Sequence, residues 1–277
     1  GLICAVHAEN NEIIKYNINK FKKKNRVDYR AHLQSRPPIS EIETVEKLIR
    51  FARETKVKLE FVHISTPQAM ELIKNAKNNG QKIYLETCPH YLFCNEEDVL
   101  KFGPFAKCNP PLRKQKMVDK IWDYINNGVV DFIGSDHAPF LLKEKERGYN
   151  NIFKAPSGFP GIQFRLPLML NAVNEGKLKI NKMVELLSEN PSRIFNLFPQ
   201  KGIIQVGSDA DLVIVDMKKR YSIKKSMMYT KAKEIAKLYE GKKLQGMPVC
   251  TIVRGKVIMN NMSIKSNKGW GKLITAK

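Results

Sequence analysis

Nowhere in its 277 residues does this chain hold an apolar run approaching the roughly 18 residues that a membrane-spanning helix needs. Its apolar start, "GLICAV", is short and lacks the basic flank of a secretory signal, so a cytoplasmic location is expected and a membrane is not. Cysteine is scarce and scattered. The five, Cys4, Cys88, Cys94, Cys108 and Cys250, are odd in number and form no CxxC pair, which argues against a disulfide framework and a zinc-finger site and for reduced, mostly buried thiols. Internal repeats and low-complexity tracts are absent too. Acidic residues are few, 27 against 48 lysines and arginines, for a formal charge of +21. That balance raises nucleic-acid binding, and "FKKKNR" at 21 to 26 is a basic run. Yet the lysines are spread over the whole chain and no interleaved aromatic-basic signature accompanies them. They read as solvated surface with a modest attraction for anionic substrates, and nucleic acid is not an expected partner.

What is present is enough apolar residue, 43%, and enough length to bury a substantial core. Four segments share one grammar, a short apolar strand whose end switches to polar, chemically capable side chains: "LICAVHAEN" (2 to 10), "VKLEFVHIST" (57 to 66), "KIYLETCPHYL" (82 to 92) and "VVDFIGSDHAP" (129 to 139). Helical patterns separate them. One starts at Ser40, an expected N-cap with Glu43 three residues on; one runs from Pro67 to Gly80; one is closed by Gly128. Strands alternating with helices predict right-handed βαβ units and an α/β fold with a parallel sheet. In a (β/α) barrel all strand ends of one kind meet on one face. His7, His63, the Glu86 to His90 stretch and Asp136 would converge there. The tail changes character: after a helix-like stretch from Ile180 to Phe198 come short β runs with Gly-Asp turns, and residues 221 to 245 read as a loop with a helix. The expected division is a barrel portion at 1–198 and a small β-rich domain at 199–277.

Two histidines and an aspartate at a barrel mouth suit a first-row metal such as Zn²⁺. Taken singly, each has a plainer reading, because a strand-end histidine is commonly a hydrogen-bonded core residue and Asp136 before His-Ala-Pro can cap a turn. Their joint occurrence at the same end of successive strands is what favours metal.

The ordered set "VHAEN", "SRPPISEIE", "VHIST", "ETCPHYL", "KCNPPLR", "GSDHAP", "APSGFPG", "NPSRIFNL" and "KGIIQVGSDADLVIVD" resembles the cyclic-amide branch of the amidohydrolase superfamily, which includes dihydroorotases, allantoinases and hydantoinases or dihydropyrimidinases. Within it, "HLQSRP", "CPHYL", "NPPLR" and "APSGFPG" are most similar to dihydroorotases. The resemblance implies a (β/α)8 barrel hydrolase acting on cyclic amide C–N bonds, with reversible zinc-dependent closure of N-carbamoyl-L-aspartate to dihydroorotate in pyrimidine synthesis as the activity. An allantoinase, a hydantoinase or a non-catalytic scaffold relative are the alternatives. By that resemblance His7 and His63 would ligate one zinc and Asp136 the other, with Asp136 also the general acid/base. Asn109 would contact the substrate ring, and Ser157 and Gly158 would hold it. His90 and His137 would support these groups from behind. Many dihydroorotases carry a histidine where this chain has Phe140, and a glutamate where it has Gln163. The HxH-type ligands, the bridging carboxylated lysine or aspartate, and the family's substrate-carboxylate arginine have no counterpart here. The chain is therefore expected to be the C-terminal portion of a longer protein, carrying the last four barrel strands and inactive alone. A homo-oligomer is left open.

Overall fold

A computed structural model describes residues 2–266 and 268–276 of the chain. Strands β1 (Ile3–Val6), β2 (Lys58–Phe61), β3 (Ile83–Thr87) and β4 (Phe132–Ile133) form one parallel sheet in the order β1-β2-β3-β4. That sequential order is the one a (β/α) barrel uses, whereas a doubly wound sheet reverses at a switch point. Register places Val6 opposite Phe61, Phe61 opposite Leu85, and Thr87 opposite Ile133. The polar residues that follow these strands therefore emerge at one end of the sheet.

Helices α1 (Asn11–Lys23), α2 (Tyr29–Ser35) and α3 (Pro38–Thr55) connect β1 to β2, and α4 (Pro67–Asn78) connects β2 to β3. Between β3 and β4 lie α5 (Pro89–Phe93), α6 (Glu96–Phe102) and α7 (Gln115–Asn126); α8 (Leu142–Glu146) and α9 (Ile162–Asn174) follow β4. The periodicity of α7 explains its packing: Val118, Ile121, Trp122 and Ile125 recur at helical spacing and all are buried. Each such side chain stabilises the fold by roughly 1.5–3 kcal/mol. Asn10 caps α1 by accepting from Glu12 and Ile13 N–H, and Thr66 caps α4 by accepting from Ala69 N–H. The expected start of α3 is corrected. The helix begins at Pro38, whose fixed φ suits the first turn, Ser40 donates to the Pro37 carbonyl at 2.7 Å, and Glu43 accepts from Asn10 instead of closing a capping box.

The tail holds α10 (Ile180–Val184), a π turn at Glu185–Glu189, α11 (Asn190–Ile194) and an antiparallel sheet of β5 (Leu212–Ser222), β6 (Lys243–Val253), β7 (Lys256–Asn260) and β8 (Ser263–Ile264). Arg254 and Gly255, at φ 47 and 78, make the β6–β7 turn, with the positive φ pair that matches the twist of a hairpin. The stretch expected to hold a helix near 221–245 has only two 3₁₀ turns, at Lys225–Met227 and Lys233–Ile235.

Packing divides the chain differently from the 1–198 and 199–277 expectation. One unit comprises Gly1–Arg165 with Met228–Glu240, the other Leu166–Met227 with Gly241–Lys277. The reason for the inserted segment is apolar: Ile235, Leu238 and Tyr239 are buried, and the Tyr239 ring lies 4.6 Å from Phe164 and 6.0 Å from Phe159. Among the described residues, no helix is long and apolar enough to cross a membrane.

Candidate active site at the strand ends

All the candidate residues belong to the first unit. His7 follows β1 directly, and His63 sits two residues after β2 in a turn. Their rings meet: His7 Nδ1 lies 3.1 Å from His63 Nε2. The other His7 nitrogen, Nε2, is 2.9 Å from Glu9 Oε2, and that same oxygen accepts from Arg36. Glu9 is buried. Burial alone would raise its pKa, but the hydrogen bond from His7 and the Arg36 guanidinium prevail and hold the carboxyl below its ordinary value. A carboxylate there accepts from His7 Nε2 and so orients the ring with Nδ1 facing His63.

His63 is buried with φ +43, a left-handed conformation that non-glycine residues rarely hold and that recurs at functional sites. Burial, reinforced by the neighbouring His7, lowers its pKa to about 4. Its Nδ1 is buried and has no hydrogen-bond partner. Asp136 shares the same strained conformation, also at φ +43. Burial raises its pKa to about 6 against the opposing influence of His7. His90 is wholly buried on α5, packed on Phe159, and Nε2 lies 3.9 Å from Asp136 Oδ2. Neither His90 nitrogen has a hydrogen-bond partner, and burial lowers its pKa to about 3, so the ring is neutral.

The loops around these groups carry the remaining candidates. Asn109 directs a buried Oδ1 that no donor reaches. His137 Nδ1 accepts from Gly161 N–H at 3.1 Å and Ile162 N–H at 3.3 Å, so this ring braces the following loop. Ser157 is half-buried beside Gly158. Gly158, at φ +125, donates its N–H to the Lys107 carbonyl at 2.8 Å, and a Cβ there would lie 2.4 Å from that of Ala138. Its glycine is thus required by Ala138, and its N–H is already engaged. The half-buried Phe140 ring lies on the same side, 3.3 Å from that Cβ position.

Glu86, in the stretch expected to converge here, reaches back to His63 N–H at 3.3 Å and to the Cys88 thiol at 3.4 Å, and burial pushes its carboxyl up to about 7. Three residues of consequence escape the sequence. Glu41 of α3 is fully buried and accepts from Ser65 Oγ at 2.6 Å and from Thr66 N–H at 2.9 Å and Oγ1 at 2.5 Å, with Arg113 4.0 Å away. It pins the turn that carries His63. Lys107 and Lys145, expected at the surface with the other lysines, are instead buried. The only available signals were position: Glu41 lies inside "SRPPISEIE" and Lys107 opens "KCNPPLR".

The fit of a metal can be tested on these residues. Two imidazole nitrogens on one tetrahedral zinc stand about 3.3 Å apart, given bond lengths near 2.0–2.1 Å. The His7–His63 separation, with His7 oriented by Glu9, fits such a pair. A complete shell is not assembled: among the described residues, no group of three or more His, Cys, Asp or Glu is gathered as a metal site. What the chain brings together is two imidazole nitrogens 3.1 Å apart.

Residues 1–258 match the model of the amidohydrolase family, and the chain belongs to that family. It is 34% identical to an L-hydantoinase of Paenarthrobacter aurescens and 35% identical to an allantoinase of Solibacter usitatus (strain Ellin6076), in each case over 100% of this chain and 60% of the relative. A dihydroorotase of Methanosphaera stadtmanae is 36% identical over 94% of this chain and 59% of its own length. Among solved structures, the L-hydantoinase (dihydropyrimidinase) from Arthrobacter aurescens superimposes with a TM-score of 0.93 at 34% identity, covering 99% of this chain and 60% of that one. The chain thus spans about 60% of the relatives it matches. The expected α/β architecture and cyclic amidohydrolase branch are borne out.

Proposed function

We propose that this chain supplies part of the catalytic machinery of a metal-dependent hydrolase that opens a cyclic amide, or closes one in reverse, together with the part of the family's length that it does not span. The observation that carries this reading is the His7–His63 pair, 3.1 Å apart and steered by Glu9. His7 and His63 would hold one Zn²⁺ and Asp136 would contribute to a second. When bound, the metal lowers the pKa of water and polarises the scissile carbonyl.

The chain's own residues do the rest. Asp136, a carboxylate at the strand end beside the metal pair, would carry the proton, first as general base and then as general acid. It accepts a proton from the attacking water and delivers it to the ring nitrogen as the C–N bond breaks, leaving an open-chain ureido acid. In the reverse direction the same proton path expels water. His90, neutral and buried behind Asp136, confines that carboxylate without adding charge. Asn109 Oδ1, buried and unpartnered, offers an acceptor to a ring N–H, and by the family resemblance Ser157 would contact the same ring.

Dihydroorotate, with N-carbamoyl-L-aspartate as the open form, is our first substrate, favoured by "HLQSRP", "CPHYL", "NPPLR" and "APSGFPG". Phe140 favours a second reading, hydantoin or allantoin, because it offers an apolar ring where a histidine would meet a carboxylate. We place the enzyme in the cytoplasm. The test is turnover of dihydroorotate, hydantoin and allantoin by the complete enzyme at saturating metal. Dihydroorotate turnover alone supports the first reading, and an inert dihydroorotate beside an active hydantoin overturns it. Absence of bound metal together with no effect of Asp136→Asn would instead mark a scaffold.

A further inference from the structure

We propose that Lys107 and Lys145 are positioning residues for the substrate: two buried side-chain amines that lock the Lys107–Arg113 segment against the Ala155–Gly158 segment before substrate arrives. The assignment of these segments to substrate contact rests on the cyclic-amide reading above; the lock itself is read from geometry.

Lys145 is fully buried on α8 and donates Nζ to the Pro156 carbonyl at 3.0 Å and the Lys107 carbonyl at 3.3 Å. Lys107, 6% exposed, donates Nζ to the Ile152 carbonyl at 2.9 Å and to the Ala155 carbonyl. The Lys107 carbonyl also receives the Gly158 N–H at 2.8 Å. Each amine thus binds backbone of the 152–158 stretch, and the Lys107 carbonyl closes the link from the other side. Asn109 lies two residues beyond Lys107, and Ser157 lies between Pro156 and Gly158, so both candidate contacts hang on this lattice. A third loop joins it: Lys145 Nζ lies 5.7 Å from the centre of the Phe140 ring, in the segment that begins with Asp136.

Among the described residues, the hydrogen-bond acceptors of both amines are main-chain carbonyls. An uncompensated buried ammonium opposes folding, and burial lowers Lys145 to about 7 and Lys107 to about 8. An apolar side chain of equal length would fill the space without that cost. What it would lose is the set of N–H donors that fixes the loops, and those persist whether or not the amine is protonated. Pre-organised loops spare a substrate the entropy of ordering them.

The experiment uses the complete, metal-loaded enzyme with Lys145→Met, Lys107→Met and Lys145→Gln. For both methionine variants KM rises roughly tenfold or more while kcat changes by less than about threefold. Metal content stays at the wild-type level, and Lys145→Gln, which keeps an N–H donor, falls between. A fall in kcat at unchanged KM, or no change in either, overturns the proposal. Hydrogen exchange on the substrate-free wild-type enzyme decides the matter even if the variants do not fold. Slow amide exchange across residues 152–158 supports the lock, and fast exchange there overturns it. If the wild-type enzyme turns over no cyclic amide, the functional reading fails while the exchange result still judges the lock.

Discussion

The imidazole side of the strand-end site and its lysine side solve opposite problems. Around His7 and His63, buried polar atoms lack partners: His63 Nδ1, both His90 nitrogens and Glu9 Oε1. Around Lys107 and Lys145, side chains that are harder to bury have their donors on carbonyls. Buried polar groups in a folded protein are satisfied almost everywhere, because an orphan costs about 1–3 kcal/mol. A concentration of orphans therefore marks where something else binds, and a concentration of satisfied groups marks what holds the binding geometry. Changes on the first side should be felt in catalysis and changes on the second in stability or substrate affinity.

The largest expected effect breaks the unpartnered side. Asp136→Asn in the complete enzyme keeps the shape of the side chain and removes its ability to take a proton. We expect kcat to fall by about 10²–10⁴-fold with the thermal midpoint little changed. Steady-state kinetics and calorimetry on one preparation check both halves. A large loss of stability with modest loss of kcat would remove the contrast between the two sides.

Next comes the turn that carries His63, held by Glu41. Its carboxyl gathers Ser65 and Thr66 and faces Arg113, all buried or nearly so. Glu41→Ala leaves the Ser65 and Thr66 donors without their acceptor and Arg113 without the carboxylate 4.0 Å away, and removal of one partner from such a cluster costs about 3–5 kcal/mol. Urea denaturation should show that loss. Metal content should fall only as far as the displaced His63 turn requires, and an unchanged urea midpoint would contradict the role given to Glu41.

The two sides also differ in how far sequence reasoning reaches them. His7, His63 and Asp136 are legible because apolar strands of similar length end in polar residues, and parallel register carries those ends to one edge. Lys107 and Lys145 are not. In a chain with 48 lysines and arginines a lysine reads as surface, and what buries these two is a set of main-chain carbonyls as many as 48 residues away. No side-chain pattern encodes a carbonyl acceptor. Glu41 is hidden for a related reason, since its partners sit 24 and 25 residues on, in a turn whose position depends on β2. The end of the first packing unit is equally illegible, because the burial of Tyr239 on Phe164 and Phe159 is a tertiary event.

The smallest effect sharpens the comparison by titration. Burial lowers Lys145 from its ordinary value of 10.5 to about 7, with the Cys108 thiol opposing and Lys107 assisting. Below about pH 7 the folded and unfolded chains both carry this proton. Between there and 10.5 the folded side chain has lost it while the unfolded one retains it, so the unfolded state binds more protons and stability rises with pH. Lys145→Met has no such dependence. The stability of the wild-type protein relative to this variant should therefore grow by on the order of 2 kcal/mol from pH 7 to pH 9.5 in urea denaturation. A flat difference would mean that water reaches the amine. The lysine side would then be as open as the imidazole side, and the loops it ties would be ordered by substrate instead of awaiting it.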